Sequence, residues 1–416
     1  MSMLQPALTK ESRFSLLVYE KGLEEEADAL EKEIRKELRN FMHTVEKDEK
    51  SYYRDAHLSA RLAALEKHKG WLQKHWPKYC MVFAHPWEVT PDAICPRLEL
   101  VENQRQNDIF RIARLTWSLP YSRGYGRRLD YLLWDDNNGK LMGILGLQSA
   151  PISLPIRDRT FHIPYEQKIE IVNQTMDVYT LGALPPYSEL LTGKLLVMAA
   201  ASRDIRQDYE QRYQGRVTEM LSRVLPTSLI AVTTLSAFGR SSLYNRVSKG
   251  FDGKHNVWVA LSLGPCEGWG TFHLSDELYQ KMKQFHQQLW PEKPVQGFGT
   301  GPRIRQQIIT RILQELRLPK RFARHNIGRE VFIIPHVENL QAILAGVGEE
   351  PIYNDNPFAT LAAFWKERYC LPRASTRCSI EGKTAIATAL GLSPQSRLTE
   401  NEISHDEPSH DSYFLI

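Results

Sequence analysis

The sequence predicts a mixed α/β fold, an α+β arrangement in which a mixed sheet is covered by helices. Two stretches carry this prediction, because each reads as a strand, a sharp loop and a helix in succession. In 177–198, β-forming residues stop at a glycine and a Pro-Pro pair before leucines recur at helical spacing. In 228–244, an apolar run is followed by a small-residue loop and a helix that carries Tyr244. Two such units predict neighbouring, partly parallel strands.

The N-terminal third of the chain shows equally regular patterns. Residues 23–45 and 58–76 repeat apolar side chains every three or four positions, which predicts two amphipathic helices that form a hairpin. A short strand at 97–101 and a helix capped by Asn103 follow. Two apolar runs on either side of Asn138-Gly139 then predict a β-hairpin, because this dipeptide favours the tight turn between paired strands.

The C-terminal part predicts further strands and a change of domain. Its expected elements are strands at 257–263 and 270–274, a linker at 294–302, a helix at 304–316, a strand at 332–335 and a helix at 361–369. The predicted domains are a helical hairpin at 1–85, a central domain at 90–290, a small basic α/β domain at 300–390 and a disordered tail at 391–416.

Length and composition bound the class of protein. With 416 residues, 42% of them hydrophobic, the chain is long enough for two or three domains with a substantial core. No apolar run approaches the roughly 20 residues that cross a bilayer, so no membrane partner is expected. Five cysteines without a tight pairing pattern favour reduced thiols and a cytoplasmic location. The formal net charge is only +4, so charged partners must be inferred from local clusters.

Two arginine clusters predict a nucleic-acid partner. Residues 111–128 hold five arginines and no acids, interleaved with aromatic residues and glycines, and 303–330 hold eight cations against two anions. Guanidinium groups match phosphate oxygens, and aromatic rings stack on bases. The predicted phosphate contacts are Arg114, Arg123, Arg127, Arg128, Arg303, Arg305 and Arg311. The alternative is that the aromatics fill the core, the arginines pair with carboxylates and the helix face is merely solvated.

The order of the central elements is similar to that of GNAT acetyltransferases, and local motifs resemble that family. Residues 181–184 stand where the family has the splayed strand that pairs with pantetheine, and 188–193 stand at its phosphate loop. The resemblance implies acetyl-CoA as a cofactor and assigns the following residues to it: Leu181, Gly182, Gly193 and Lys194 as contacts, and Tyr244 as the acid for the leaving thiolate. Leu191 replaces the first loop glycine and crowds a phosphate, so the predicted core is a degenerate GNAT-like domain.

A second set of motifs covers roughly 90–290. In order along the chain, it comprises Arg97-Leu-Glu-Leu-Val, the segment 114–128, Gly139-Lys-Leu-Met-Gly-Ile-Leu-Gly-Leu, Arg157-Asp158, Pro186-Tyr187 and Gly193-Lys-Leu. This set resembles the DruA family of Druantia anti-phage proteins. The resemblance implies a component of an antiviral system, with other proteins of that system as partners.

These observations leave three functions open. The favoured one is a nucleic-acid-binding or sensing subunit of such a system. The alternatives are an acyltransferase or other group-transfer enzyme, and a structural adaptor that works through the helices at 23–76. The chain has no P-loop and no cysteine and histidine spacing typical of zinc, and no metal site is predicted. A nuclease would need its acidic residues and lysine gathered around a metal, and the candidates are Asp158, Asp177, Glu189 and Lys194.

Overall fold

The computed structural model describes residues 21–47, 49–117, 124, 126–218, 222–237, 241–252, 255–266, 274–292, 295, 302–323, 329–376 and 383–392. Its helices are α1 (Lys21–Lys47), α2 (Glu49–Tyr79), α3 (Gln104–Leu115), α4 (Pro155–Thr160), α5 (Lys168–Asn173), α6 (Thr192–Ala199), α7 (Arg203–Tyr213), α8 (Asp276–Leu289), α9 (Pro302–Glu315), α10 (Leu340–Leu344), α11 (Phe358–Trp365), α12 (Leu371–Ala374) and α13 (Lys383–Ala389). Its strands are β1 (Pro96–Leu100), β2 (Arg128–Asp135), β3 (Lys140–Ser149), β4 (Thr175–Ala183), β5 (Ala231–Leu235), β6 (Ser248–Asp252), β7 (His255–Trp258), β8 (Leu261–Pro265) and β9 (Glu330–Pro335).

The chain divides into two compact units. The smaller unit contains Met1–Tyr53 and Cys266–Gly328, and the larger one, called the sheet unit below, contains Arg54–Pro265 and Arg329–Ile416. The domain ranges expected from the sequence stay a prediction. No helix within the described ranges combines the length and hydropathy needed to cross a membrane.

The centre of the sheet unit is a mixed sheet, which confirms the predicted mixed α/β class. In the part of the chain that the structure describes, seven strands pair in the order β1-β2-β3-β4-β5-β9-β8, and β6 and β7 form a separate hairpin. Every neighbouring pair in the large sheet is antiparallel except β4 and β5, which run parallel. The β2–β3 hairpin turns at Asn138-Gly139 as predicted, and Gly139 adopts a φ of 68°, which glycine tolerates without strain.

The parallel contact between β4 and β5 is short. It joins Thr175 to Ala231, Met176 to Val232 and Asp177 to Thr233, and there it ends. Beyond Asp177, β4 pairs only with β3, whereas β5 pairs with β9. The two strands therefore separate beyond the carboxyl ends of their paired segment, inside the sheet.

Each face of the sheet is covered by apolar helices. On one face, α6, α7 and α11 bury Leu196, Tyr209 and Trp365 against strand residues. The opposite face packs against α3 near β2 and β3, and against residues of α5 and the α4–α5 segment near β5 and β9. Of the helical period predicted at 190–198, Leu195, Leu196 and Met198 lie on the buried helix α6, whereas Leu190 ends a 3-10 turn before it.

The smaller unit is built from helices. Apolar residues of α1 pack with those of α8 and α9, and they share a core that includes Ile34, Phe285 and Ile312. Because these side chains recur at helical spacing in an otherwise charged sequence, the helices predicted within 23–45 and 304–316 are present as α1 and α9.

One predicted helix is absent, and one predicted strand cannot be compared with the structure. The helix expected around Tyr244 is a hydrogen-bonded turn at 242–246, in which Asn245 N donates to Ser241 O at 3.1 Å. Arg246 follows in the left-handed region at φ 57°, which ends the turn before it can become helical. The strand expected at 270–274 falls mostly outside the described residues.

The N-terminus of α3 provides a direct test of local sequence signals. The Asn103 side chain accepts a hydrogen bond from Gln106 N at 2.9 Å, and the Gln106 side chain accepts from Asn103 N at 3.0 Å. We expect Asn103→Ala to reduce the free energy of unfolding by about 1 kcal/mol, because the backbone N–H of Gln106 loses its side-chain acceptor. Asn103→Ser, which keeps a capping oxygen, should lose much less in the same urea titration. Equal losses for the two variants would show that the cap does not stabilise α3.

Candidate nucleic-acid interface

Arginines and tyrosines from two distant segments meet where β2 begins and α7 ends. We call this group the Tyr213 cluster, and its members are Arg127, Arg128, Tyr209, Arg212, Tyr213 and Arg216. The Tyr213 hydroxyl accepts from Arg128 N at 2.7 Å and donates to Arg128 O at 2.8 Å, across 85 residues of sequence. Arg212 Nη1 also lies 3.4 Å from Arg128 O. These bonds to the backbone fix the end of α7 against the first residue of β2.

Helix α7 holds its tyrosines in place through its buried face. The helix begins after Ser202, whose hydroxyl accepts from Ile205 N at 3.3 Å. Ile205 and Tyr209 are both buried and lie four residues apart, so they share the face that meets the sheet. Asp208 accepts a hydrogen bond from the Tyr131 hydroxyl at 3.0 Å and ties the helix to β2. The last turn of α7 is therefore positioned by rigid neighbours.

Arg127 is the inner member of the cluster. Its Nη1 donates to Asn173 O at 2.5 Å and to the Tyr209 hydroxyl, and its guanidinium lies 5.3 Å from the Tyr209 ring centre and 5.9 Å from that of Tyr213. Burial lowers the pKa of Arg127 to about 10. The residue remains a cation at neutral pH and places positive charge beneath the tyrosine rings.

The outer members face solvent. The Arg128 side chain is 42% exposed and lies 3.9 Å from Asp130, a distance at the limit of an ion pair. Arg216 is exposed and lies 5.8 Å from the Tyr213 ring centre, and Arg212 lies 3.7 Å from Glu102. Exposed guanidinium groups beside a half-buried tyrosine provide phosphate donors and a ring face together.

The structure places the sequence-predicted arginines in different environments. Arg127 and Arg128 belong to the Tyr213 cluster, whereas Arg114 is buried on α3 and Arg123 lies outside the described residues. In the smaller unit, Arg305 binds Asp276 at 2.5 Å and Leu274 O at 2.8 Å, and its guanidinium lies 4.4 Å from the Tyr279 ring centre.

Two further arginines of the predicted set lie on α9 in the same unit. Arg311 contacts His286 Nε2 at 3.1 Å. Arg303 belongs to the first turn of α9, and its side chain lies outside the part of the chain that the structure describes. Of the three α9 arginines, Arg305 therefore has a carboxylate partner and Arg311 an imidazole partner.

The strand segment that the acetyltransferase resemblance assigns to pantetheine is already packed. Leu181 is buried, and Gly182 pairs with Ile144 of β3. A Cβ atom at Gly182 would lie 1.7 Å from Trp117 Cζ2, so the indole of Trp117 rests directly on this backbone. The face of β4 at Gly182 is therefore covered by an aromatic side chain.

The predicted phosphate loop is filled by the protein itself. A Cβ at Gly193 would lie 2.6 Å from Leu243 Cδ1, and Leu191 O accepts from the indole Nε1 of Trp365 at 3.1 Å. Lys194 Nζ donates to Ser242 O and Asn245 O at 3.3 and 3.1 Å, and burial lowers its pKa. A pyrophosphate needs free backbone donors and an open approach at the helix N-terminus. The residues at this loop do not fit acetyl-CoA.

Tyr244, the candidate acid, is a core residue. It is buried with its hydroxyl 3.1 Å from Thr234 Oγ1, and its ring centre lies 5.2 Å from that of Phe332. Burial raises the pKa of Tyr244 to about 12. Among the described residues, no group of three or more histidines, cysteines, aspartates or glutamates is placed to hold a metal ion.

Comparison with known proteins identifies the family. The family model described as Druantia protein DruA matches residues 47–346 of this chain. A curated Druantia protein DruA from Escherichia coli (strain UMEA 4076-1) is 35% identical over 328 residues, covering 78% of this chain and 80% of that protein. The chain belongs to the DruA family. No solved structure matches this DruA-family chain significantly.

The DruA-family match includes both segments that form the Tyr213 cluster. Sequence reasoning found Arg127 and Arg128 but missed Arg212, Tyr213 and Arg216. The signal was present, because Arg212-Tyr-Gln-Gly-Arg216 has the same arginine, tyrosine and glycine composition as the segment that ends at Arg128. What the sequence lacked was the pairing of these two segments in space.

Proposed function

We propose that this DruA-family chain is the nucleic-acid-binding subunit of an anti-phage defence system of the Druantia type. The family supports the role in defence, and the Tyr213 cluster is the observation that supports nucleic-acid binding. Its cations lie on one rigid junction between β2 and α7, so they need no large rearrangement to meet a phosphate backbone. Other proteins of the same system are the proposed protein partners.

The electrostatics of the cluster favour a polyanion. Arg127 is buried beside two tyrosine rings, and Arg128 and Arg216 extend the charge to the surface. Each phosphate that such residues neutralise releases counterions, so affinity for duplex DNA falls with salt at a log-log slope of about −0.9 per contact. Tyr213 adds a ring that accepts stacking by an unpaired base.

Removing the outer charges tests the proposal. We expect Arg128→Gln combined with Arg216→Gln to weaken binding to DNA by about tenfold or more in low salt. The log-log salt slope should become shallower by about 2, because two phosphate contacts are lost. Binding is measured by fluorescence anisotropy with labelled single- and double-stranded DNA over a salt series.

Arg97→Gln is the matched control. Arg97 lies in the same unit and outside the Tyr213 cluster, its side chain is 46% exposed, close to the 42% of Arg128, and it binds Asp136 at 2.9 Å. Its loss should leave both affinity and slope nearly unchanged. If the double variant and this control behave alike, the Tyr213 cluster is not the interface. A second arm removes the charges of Arg303, Arg305 and Arg311 together and asks whether α9 adds contacts of its own.

We also propose a GNAT-like scaffold for the sheet unit. The support is the strand order, in which four antiparallel strands are followed by one short parallel contact and then by two further antiparallel strands. The separation of β4 from β5 beyond Asp177 resembles the splay at which GNAT-like folds hold their ligand, and it supports this proposal. Because the phosphate loop is packed by Leu243 and Trp365, the proposed scaffold serves binding rather than transfer from acetyl-CoA.

A further inference from the structure

A buried polar cluster lies where β4 and β5 separate. It borders the Tyr213 cluster, because Gln148 of β3 pairs with Arg128 of β2. Its centre is Asp177, the last residue of β4 that pairs with β5. Asp177 Oδ1 accepts from Thr233 Oγ1 at 2.7 Å, and Asp177 Oδ2 accepts from Gln148 Nε2 at 3.3 Å. Three neighbouring strands therefore each contribute one polar side chain to the same buried point.

Thr180 lies on the same face of the sheet as this group. Gly146 pairs with Thr180, and Gln148 pairs with Asp177. Residues two apart on β3 point to one face, and cross-strand partners share a face, so Thr180 and Asp177 face the same side. A β-bulge in β4 lies between the Gly146–Thr180 and Gln148–Asp177 pairs. Because of this bulge, Thr180 and Asp177 face the same side although they are three residues apart.

Three polar atoms of this region have no hydrogen-bond partner within the described residues. They are Arg157 Nη1, Gln148 Oε1 and Thr180 Oγ1. Arg157 is completely buried, and Gln148 and Thr180 are each more than nine-tenths buried. An unsatisfied buried polar atom costs about 1–3 kcal/mol, so native proteins rarely keep several together without a ligand or water.

The charge balance near Arg157 favours an anion. Arg157 Nε and Nη2 bind Asp158 Oδ1 at 2.9 and 2.7 Å, and Lys168 Nζ binds Asp158 Oδ2 at 2.5 Å. One carboxylate therefore serves two cations. Burial raises the pKa of Asp177, and the positive charges of Arg157 and Arg329 both lower it by a smaller amount. Three cations therefore act on this region against the carboxyl groups of Asp158 and Asp177.

We infer that this cluster binds a small oxyanion that carries a proton, namely hydrogen phosphate or a phosphate monoester. Arg157 Nη1 and Thr180 Oγ1 donate to its unprotonated oxygens. Gln148 Oε1 accepts from its P–OH group. A phosphate monoester has its second pKa near 6, so the singly protonated form with both kinds of oxygen is present near neutral pH. Sulfate offers no such proton and leaves Gln148 Oε1 unsatisfied.

Calorimetric titration of the full chain with inorganic phosphate and with sulfate at equal ionic strength tests the inference. We expect phosphate to bind at millimolar concentration or below, and sulfate to bind at least tenfold more weakly. Thr180→Val removes only the unpartnered hydroxyl. It should therefore keep or raise the melting temperature without ligand while it weakens phosphate binding about tenfold.

Two controls are needed. The first distinguishes a loss of phosphate binding from a loss of stability. The second distinguishes this cluster from the Tyr213 cluster as the place where phosphate binds. Thr175→Val removes a hydroxyl that is bonded to Val172 O at 2.8 Å, so it should lower the melting temperature but keep phosphate affinity. Arg216→Gln, which changes the Tyr213 cluster but leaves Arg128, the partner of Gln148, intact, should also keep it, so failure of the proposed nucleic-acid surface is distinguishable from failure here. Arg157→Lys, which keeps the charge but changes the donor geometry, should lose affinity.

Either of two results overturns the inference. One is wild-type protein that binds no phosphate at about 10 mM, which is above the millimolar affinity expected. The other is Thr180→Val protein that binds phosphate as tightly as wild type. In both cases the unpartnered atoms would be satisfied by buried water, and the cluster would be structural.

Discussion

Replacing Trp365 with alanine should lower the free energy of unfolding by about 3–5 kcal/mol, because a large buried ring leaves a cavity. Trp365 is completely buried on α11 and belongs to the main apolar core of the sheet unit. Its indole Nε1 also donates to Leu191 O at the start of α6. The substitution therefore removes both core packing and the contact that covers the predicted phosphate loop. Urea denaturation followed by circular dichroism measures the loss.

Two further substitutions show which part of the indole matters. Trp365→Phe keeps an aromatic ring but loses the donor to Leu191 O, so it should cost less than the alanine change. Trp87→Ala removes an indole that is 77% exposed, and it should stay within about 0.5 kcal/mol of wild type. A loss for Trp365→Ala as small as that for Trp87→Ala would mean that α11 is not part of the cooperative core.

Local signals predicted much of the fold. The Asn138-Gly139 turn, the Asn103 cap and the leucines of α6 each depend on interactions within a few residues, and each is present as expected. Such features can be read from sequence because neither the geometry of a tight turn nor the periodicity of a helix needs information from distant parts of the chain.

Features that depend on distant contacts were not predictable in the same way. The turn at Tyr244 has helical composition, but its tyrosine hydroxyl meets Thr234 and its ring meets Phe332 of β9. The strand predicted at 332–335 is present as β9, but its place between β5 and β8 could not be read from its own residues. Tertiary packing outweighs local propensity at such positions.

The candidate interface illustrates the same limit. Composition singled out the arginines at 111–128, but it could not distinguish the buried Arg114 from the exposed Arg128. The structure separates them because Arg114 lies on the inner face of α3, whereas Arg128 opens β2 beside Tyr213. An arginine's environment depends on which face of its helix or strand is covered, and that depends on the whole fold.

The Asp177 carboxyl should make the protein less stable as pH rises from about 4 to about 6. Burial raises the pKa of Asp177 from 3.8 to about 6, against hydrogen bonds from Thr233 and Gln148 that oppose the shift. Because the folded state holds this proton more tightly than the unfolded state, stability is fully present below pH 3.8 and is lost as pH passes through 6. The difference amounts to about 3 kcal/mol, at about 1.4 kcal/mol per pKa unit.

Asp177→Asn isolates this effect, because asparagine resembles the protonated acid. We expect the variant to exceed wild type in stability by up to about 3 kcal/mol above pH 6, and to match it below about pH 4. Variant and wild type are compared at equal pH, because His336 also makes stability depend on pH. Burial lowers the pKa of His336 to about 4, so the free energy of unfolding decreases as pH falls toward 4. Urea titrations from pH 4 to 8 give the difference curve directly.

The opposite result would have an equally definite meaning. If Asp177→Asn is less stable than wild type throughout this range, the carboxylate is a required counter-ion for Arg157, whose charge acts on it. Asp158→Asn provides the reference for that case, since it removes the carboxylate that Arg157 and Lys168 share and should destabilise the protein at neutral pH. If Asp177→Asn raises stability while Asp158→Asn lowers it, Asp177 is a carboxyl that keeps its proton in the folded protein up to about pH 6. Above pH 6 this carboxyl is mostly ionised and repels an anion, so the phosphate inferred for this cluster should bind more tightly near pH 6 than near pH 8.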